Sequence, residues 1–246
     1  MSSRLKRFLL TLSLLAALIG IAITSILRYS GLSLPVGKLG LPLIESAKNA
    51  AKTPIKIPRL LSNNDQDADG IDDLDDIVLG ARAEAERRPK YRSAYYKGGY
   101  PPETEGVCTD VIWRAFRDAG YDLKVMVDHD IAVDVKAYPR VKGKPDPNID
   151  FRRVPNLVSF FNRHALSLPI EIKPGDVKNL ELWQGGDIVV YGKPYQHIGI
   201  VSDKRRVDGV PLLIHNGGPY ATEVDYLLSW PSPITNHFRF PKLVDK

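Results

Sequence analysis

A single cysteine, Cys108, stands among the 246 residues, so the chain can form no internal disulfide. The His-Glu-x-x-His and paired Cys-x-x-Cys spacings that hold zinc are missing, which argues against zinc hydrolysis. No Gly-x-Ser-x-Gly elbow marks a serine hydrolase, and no glycine-rich loop is built to cradle phosphate. There is no recognition-helix, zinc-finger or aromatic-basic signature, so nucleic acid is not an expected partner. Composition, at 43% apolar and 26% charged residues, is ordinary for a globular protein and excludes global disorder.

The charge is unevenly spread. Residues 1–62 hold nine Lys or Arg and one acid, whereas residues 63–76 hold seven Asp and no base. Within the first block, Arg4, Lys6 and Arg7 precede an uncharged apolar run over 8–27, of a length that matches the hydrocarbon core of a bilayer. Residues 1–28 therefore read as a transmembrane anchor or signal segment. The basic flank keeps the N-terminus inside, so everything that follows is expected to be exported, and secreted outright if the segment is cleaved. Residues 29–62 carry Pro35, Pro42, Pro54 and Pro58 without an amphipathic period, and read as an extended basic stalk.

The acidic segment 63–76 has the alternation of a calcium loop. Ca²⁺ takes six to eight oxygens, and Asp65, Asp67 and Asp69 can direct carboxylates at one centre, with Gly70 making the turn. Ile71 would add a carbonyl oxygen, Asp73 a direct or water-mediated oxygen and Asp76 the closing carboxylate. Asp76 stands where an EF-hand has the longer Glu, and the segment resembles the calcium loops of thrombospondin-type or dockerin-like repeats. A structural Ca²⁺ bracing stalk to domain is expected; the alternative is a solvated run whose last acids cap the next helix. With one copy of the loop, a calcium switch is not expected.

The chemistry-bearing residues lie in 77–246. Apolar spacing predicts a helix over 77–88, ended by Pro89, and another running from Cys108 to a stop at Gly120. Cys108 thus falls at the first turn of its helix, where unpaired N–H groups and the macrodipole favour a thiolate. Segments 186–191, 197–202 and 212–218 read as adjacent antiparallel strands, the second starting with His197 and the third ending near His215. A helix-tip Cys facing a His and a further polar group is the arrangement of a papain-like nucleophile. His197 is the expected base, oriented by His215 or by Asn216; if the strand persists these two point to opposite faces, so only one can reach. Asp110 either supports the site, ordering it or binding a substrate amine, or satisfies first-turn N–H groups. Arg152 and Arg153 either hold a substrate carboxylate or pair with acids. His129, His164 and His237 are not expected to be catalytic.

The motifs GVCTDVIWRAFRDAG, PDPNIDFRRVPNL, GGDIVVY, HIGIVSD and IHNGG occur in an order that resembles a bacterial family catalogued as domain of unknown function 1287, itself similar to NlpC-type, papain-like cysteine peptidases. The similarity runs over about two-thirds of the chain. It implies an α+β papain-like fold, a helical part bearing Cys108 on an antiparallel sheet, and a Cys108–His197–His215 centre cleaving stem-peptide amide bonds of peptidoglycan. Phe151 replaces the His of that pattern, and Glu103-Thr104-Glu105 lacks its usual Gly-Asp pair. The functional expectation is an extracytoplasmic cysteine amidase or peptidase acting on cell-wall peptide, held to the membrane through residues 8–27 and needing no cofactor for catalysis. The alternatives are a transferase using the same thioester and a non-catalytic, calcium-dependent surface module.

Overall fold

Asp72 has an extended backbone, and its carboxylate accepts the N–H of Leu74. This N-cap starts the first helix, α1, at Asp73, four residues ahead of the start implied by apolar spacing, and α1 runs Asp73–Arg87. Asp73, Asp75 and Asp76 occupy its first turn, where the positive end of the helix dipole favours them. The computed structural model describes residues 53–242. The expected membrane segment 8–27 lies outside them, and among the described residues no helix is long and apolar enough to cross a membrane.

After α1 come β1 (Lys90–Tyr91), β2 (Glu105–Gly106), α2 (Cys108–Asp118), α3 (Leu123–Val133), α4 (Val154–His164), β3 (Leu166–Ser167) and α5 (Val177–Leu180). The remaining strands are β4 (Ile188–Tyr191), β5 (His197–Arg205), β6 (Pro211–His215), β7 (Thr222–Val224) and β8 (Ile234–Arg239). Strands β3 to β8 form one sheet in the order β3-β8-β4-β5-β6-β7, every neighbouring pair antiparallel. The fold is thus α+β, and the three strands read from the sequence are its adjacent central members β4, β5 and β6.

Alternation along the strands divides the core. Ile188, Val190, Ile198, Ile200, Ile214 and Phe238 join Ile77, Val111, Ile112 and Phe116 of α1 and α2 in the main cluster. Val189, Tyr191, Val201 and Leu213 belong to a smaller cluster with Leu180, Trp183 and Leu227. Ile57 packs against that second cluster. The Ile55 N–H donates to Val207 O at 3.1 Å, the Leu60 N–H to Gln184 Oε1 at 3.1 Å, and Gln184 Nε2 to Pro58 O at 3.1 Å. Residues 53–62 therefore pack as part of the folded unit and are not free stalk, while the rest of the expected stalk, 29–52, lies outside the described residues. Their isoleucines find an apolar face on the sheet, which a solvated spacer would leave bare.

Two devices hold α1 in place. Gly186 has φ +90, and a Cβ there would come within 2.5 Å of Leu74 O, so the turn into β4 touches the first turn of α1 only because it has no side chain. Arg114 of α2 is fully buried and pairs with Glu84 of α1, itself 1% exposed. Arg114 Nη2 also donates to Pro102 O at 2.9 Å and Glu105 O at 3.2 Å, tying the loop ahead of α2 to the same point. Arg114→Leu takes away the buried partner of Glu84 and leaves it only the half-exposed Arg87, at 2.6 Å, and is expected to cost up to about 3–5 kcal/mol of stability in urea unfolding. A loss under about 1 kcal/mol, the worth of an exposed pair, would show that the pair is not holding the helices together.

Candidate active site

Val107 is extended and Cys108 is the first residue of α2. The opening N–H groups of a helix have no intrahelical acceptor; those of Cys108 and Thr109, together with the N–H of Ile198, are directed at the Cys108 sulfur. Cys108 belongs to the main core cluster with Ile198, Ile200 and Ile214, and the Ile198 N–H that addresses its sulfur is one residue along from His197. The β5–β6 ladder pairs Ile200 with Ile214, and the sulfur stands beside the stretch of β5 that precedes this pair.

His197 is buried at the start of β5, and its Nε2 lies 2.7 Å from Nδ1 of His215 at the end of β6. The alternation expected at 215 and 216 decides between the two candidates. Asn216 turns away: its Nδ2 donates to Pro89 O at 3.2 Å and Gly106 O at 3.3 Å, and its Oδ1 accepts the Gly218 N–H. Sequence reasoning missed Trp230, whose ring stacks on His197 with centroids 3.9 Å apart and meets His215 edge-on at 5.5 Å. Its Nε1 donates to Tyr195 O at 2.9 Å, which fixes the indole over the imidazole. The only signal would have been a large aromatic in the turn Ser229-Trp230-Pro231-Ser232. A cleft of ≈ 480 Å³ opens here, walled by His215, Tyr195, Tyr226, Trp230, Gly217 and Gly218 among others. A slightly larger hollow, ≈ 500 Å³, is lined by Tyr100, Trp113, Arg117 and Lys124 and holds none of these site residues.

The supporting residues prove to be built into the scaffold. Asp110 is fully buried; it accepts the Val107 N–H at 2.7 Å and the Trp113 Nε1–H at 2.8 Å, and takes a two-point ion pair from Arg152 at 2.7 and 2.8 Å. With every oxygen engaged, it has nothing left for a substrate amine. Arg153 pairs with Asp150 at 3.5 Å, and Phe151 is buried under Tyr100. His237 stacks on Trp183 and bonds Asp187 at 2.9 Å, a packed histidine away from the thiol.

Burial sets the protonation states. It pushes the Cys108 thiol up to about 12, with the charge of Asp110 adding to the effect. The thiolate expected from the helix tip is therefore not the resting form: loss of water outweighs the dipole and the directed N–H groups. Burial also drives His197 down to about 3, helped by His215, and His215 itself down to about 4. At neutral pH the site holds a thiol and two neutral imidazoles, with no thiol–imidazole hydrogen bond formed. Catalytic hydrogen bonds are often long before substrate binds and tighten in the complex.

A stability consequence follows. An unfolded histidine binds a proton near pH 6.5, whereas the folded pair stays neutral until about 3 to 4. Below that unfolded value the unfolded chain takes up protons that the fold refuses, so stability is intact above about pH 6.5 and falls as the medium acidifies. The drop in unfolding free energy between about pH 7 and about pH 4 is expected to shrink in the His197→Gln/His215→Gln variant. An undiminished drop would place the acid sensitivity elsewhere.

Residues 78–240 match the family described as "Domain of unknown function (DUF1287)". The chain is 41% identical over 156 residues to "Uncharacterized protein YijF" of Escherichia coli (strain K12), a match covering 62% of this chain and 72% of that protein. No solved structure matches. The family span contains Cys108, His197, His215 and Trp230 and stops short of the acidic loop; on this match and this identity, the chain belongs to the family of domain of unknown function 1287.

Proposed function

We propose that this protein is an extracytoplasmic cysteine amidase or peptidase of papain-like, NlpC-like type, cleaving an amide bond of a cell-wall peptide through a thioester on Cys108. The observation that carries the reading is the His197–His215 contact of 2.7 Å beside a sulfur addressed by the N–H of Ile198, the residue after His197. With Nε2 of His197 committed to His215, Nδ1 is the ring nitrogen left to take the thiol proton. Because both groups rest neutral, proton transfer accompanies attack and does not precede it. The sulfur bonds to the carbonyl carbon, and the N–H groups of Cys108 and Thr109 are the donors at hand for the oxyanion. The amide C–N bond then breaks as His197 returns the proton to the leaving amine. Water adds to the thioester, giving the acid and the free thiol.

Other parts of the chain support the setting and the substrate. The charged flank and apolar run of 1–28 favour export with attachment to the membrane through residues 8–27. The aromatic cleft beside His215 suits an extended peptide with apolar and polar groups in alternation. The family resemblance favours stem peptides of peptidoglycan over other amides.

Purified peptidoglycan digested with the full-length protein is expected to release peptide fragments, identified by mass spectrometry, that disappear with Cys108→Ala. His197→Ala is expected to lower the rate by roughly 10²–10⁴-fold, the usual worth of general acid–base catalysis. Release that survives Cys108→Ala would sink the proposal. Amine-capped fragments on adding an amine acceptor would turn the reading into a transferase. Absence of both cleavage and labelling by a thiol-directed amide mimic would leave a non-catalytic module.

A further inference from the structure

The acidic loop lies apart from the thiol, and its seven aspartates differ in burial and in partners. Asp72 accepts the N–H groups of Ser62, Asn63 and Leu74. Asp73, expected from the sequence to be a ligand, is fully buried and is held by other parts of the fold, with the Gln66 N–H on one oxygen and Asn64 Nδ2 and the Tyr121 hydroxyl on the other. Asp75 pairs with Arg59. The others, Asp65, Asp67 and Asp69, bring one carboxylate oxygen each to within 4.8 Å of the rest.

Asp76 is the independent observation. It stands on the first turn of α1 and is 5% exposed, and its Oδ2 has no hydrogen-bond partner. A buried carboxylate oxygen without a donor is costly and rare in a native fold. The carboxylates of Asp69, Asp67, Asp73 and Asp65 are near enough to act on this buried group, which therefore lies beside the exposed trio. A cation in the middle would supply both the missing partner and the missing charge.

We propose that Asp65, Asp67, Asp69, Asp76 and the main-chain carbonyl of Ile71 hold one Ca²⁺, which braces the far end of the cysteine-bearing helix. Four carboxylates and a carbonyl are the hard, oxygen-only set that Ca²⁺ prefers, whereas Mg²⁺ favours few protein ligands and several waters. The loop is already folded toward this use: Gly70 turns at φ +92, and Asp65 accepts the N–H groups of Asp69 and Gly70 at 3.1 and 2.9 Å. It is also pressed against the turn that ends α2. A Cβ on Gly120 would come within 2.8 Å of Asp67 Cβ, and Asn64 Nδ2 donates to the Tyr121 hydroxyl at 2.9 Å. Fixing Asp67 thus fixes the turn at Gly120 and Tyr121.

The test is thermal unfolding of the full-length protein in chelator, in CaCl₂, in MgCl₂, and in NaCl of matched ionic strength. Ca²⁺ well above its dissociation constant is expected to raise Tm by roughly 5–10 °C, with Mg²⁺ and NaCl giving far less. Asp76→Asn is expected to abolish most of the Ca²⁺ response while leaving Tm in chelator equal to or above that of the wild type, because it removes an unpartnered charge. Asp67→Asn, at an exposed ligand, should lose the response without harming the fold. No Ca²⁺ response up to about 10 mM, beyond the range of weak extracellular calcium modules, would overturn the site. So would an equal response to Mg²⁺ or NaCl, or an Asp76→Asn protein that unfolds early in chelator and still responds fully to Ca²⁺. The readout is stability, so failure here is separate from failure of the amidase reading.

Discussion

Four protein donors converge on the Asp110 carboxylate, and the position of the Cys108 sulfur depends on that convergence. The Val107 N–H closes the helix start, Trp113 fixes the second turn, and Arg152 arrives with two parallel N–H bonds. Thr109 in return donates its hydroxyl to the Arg152 carbonyl at 3.1 Å. Segment 150–153 and the first turn of α2 are thereby locked into one piece, with Cys108 at its edge. Asn216, next to His215 at the end of β6, joins that piece to the sheet through Gly106 O. Catalytic geometry is sensitive to shifts of about 1 Å, so a group that never meets substrate can still govern a reaction.

One physical effect, loss of water, acts in opposite ways on the two ends of α2. At its N-terminus burial keeps a thiol and two imidazoles uncharged, which lets them lie together without a counterion. Near its C-terminus burial presses Asp76 against other acids and works against its charge. The first arrangement is stable as it stands and becomes charged only in passing, when a proton moves. The second leaves a buried carboxylate oxygen without a hydrogen-bond partner.

Much of this was readable in the residues. The Val-Ile runs bounded by Gly and Asp located β4, β5 and β6, and period-2 alternation allowed only one of His215 and Asn216 to reach His197. The placing of Cys108 on the first turn of its helix followed from the apolar spacing after it. What escaped was whatever depends on distant chain. Trp230 reaches His197 because a turn 33 positions later folds back over β5, and no local period records this. The ionisation of Cys108 depends on depth of burial, and the role of Asp110 on an arginine 42 residues away. The start of α1 was misplaced because apolar spacing is blind to a cap, and the cap here is Asp72 in a run of acids that all look alike.

The strap formed by residues 53–62 separates two kinds of unit. Shared ancestry is visible from Val78 onward, yet the folded body starts at Thr53. A boundary drawn by kinship would cut α1 after its fifth residue, discarding Leu74 and Ile77 from the core and stripping the outer face of the sheet of Ile57. The span shared with the family therefore lacks pieces that this chain uses to close its core and to cover one face of its sheet.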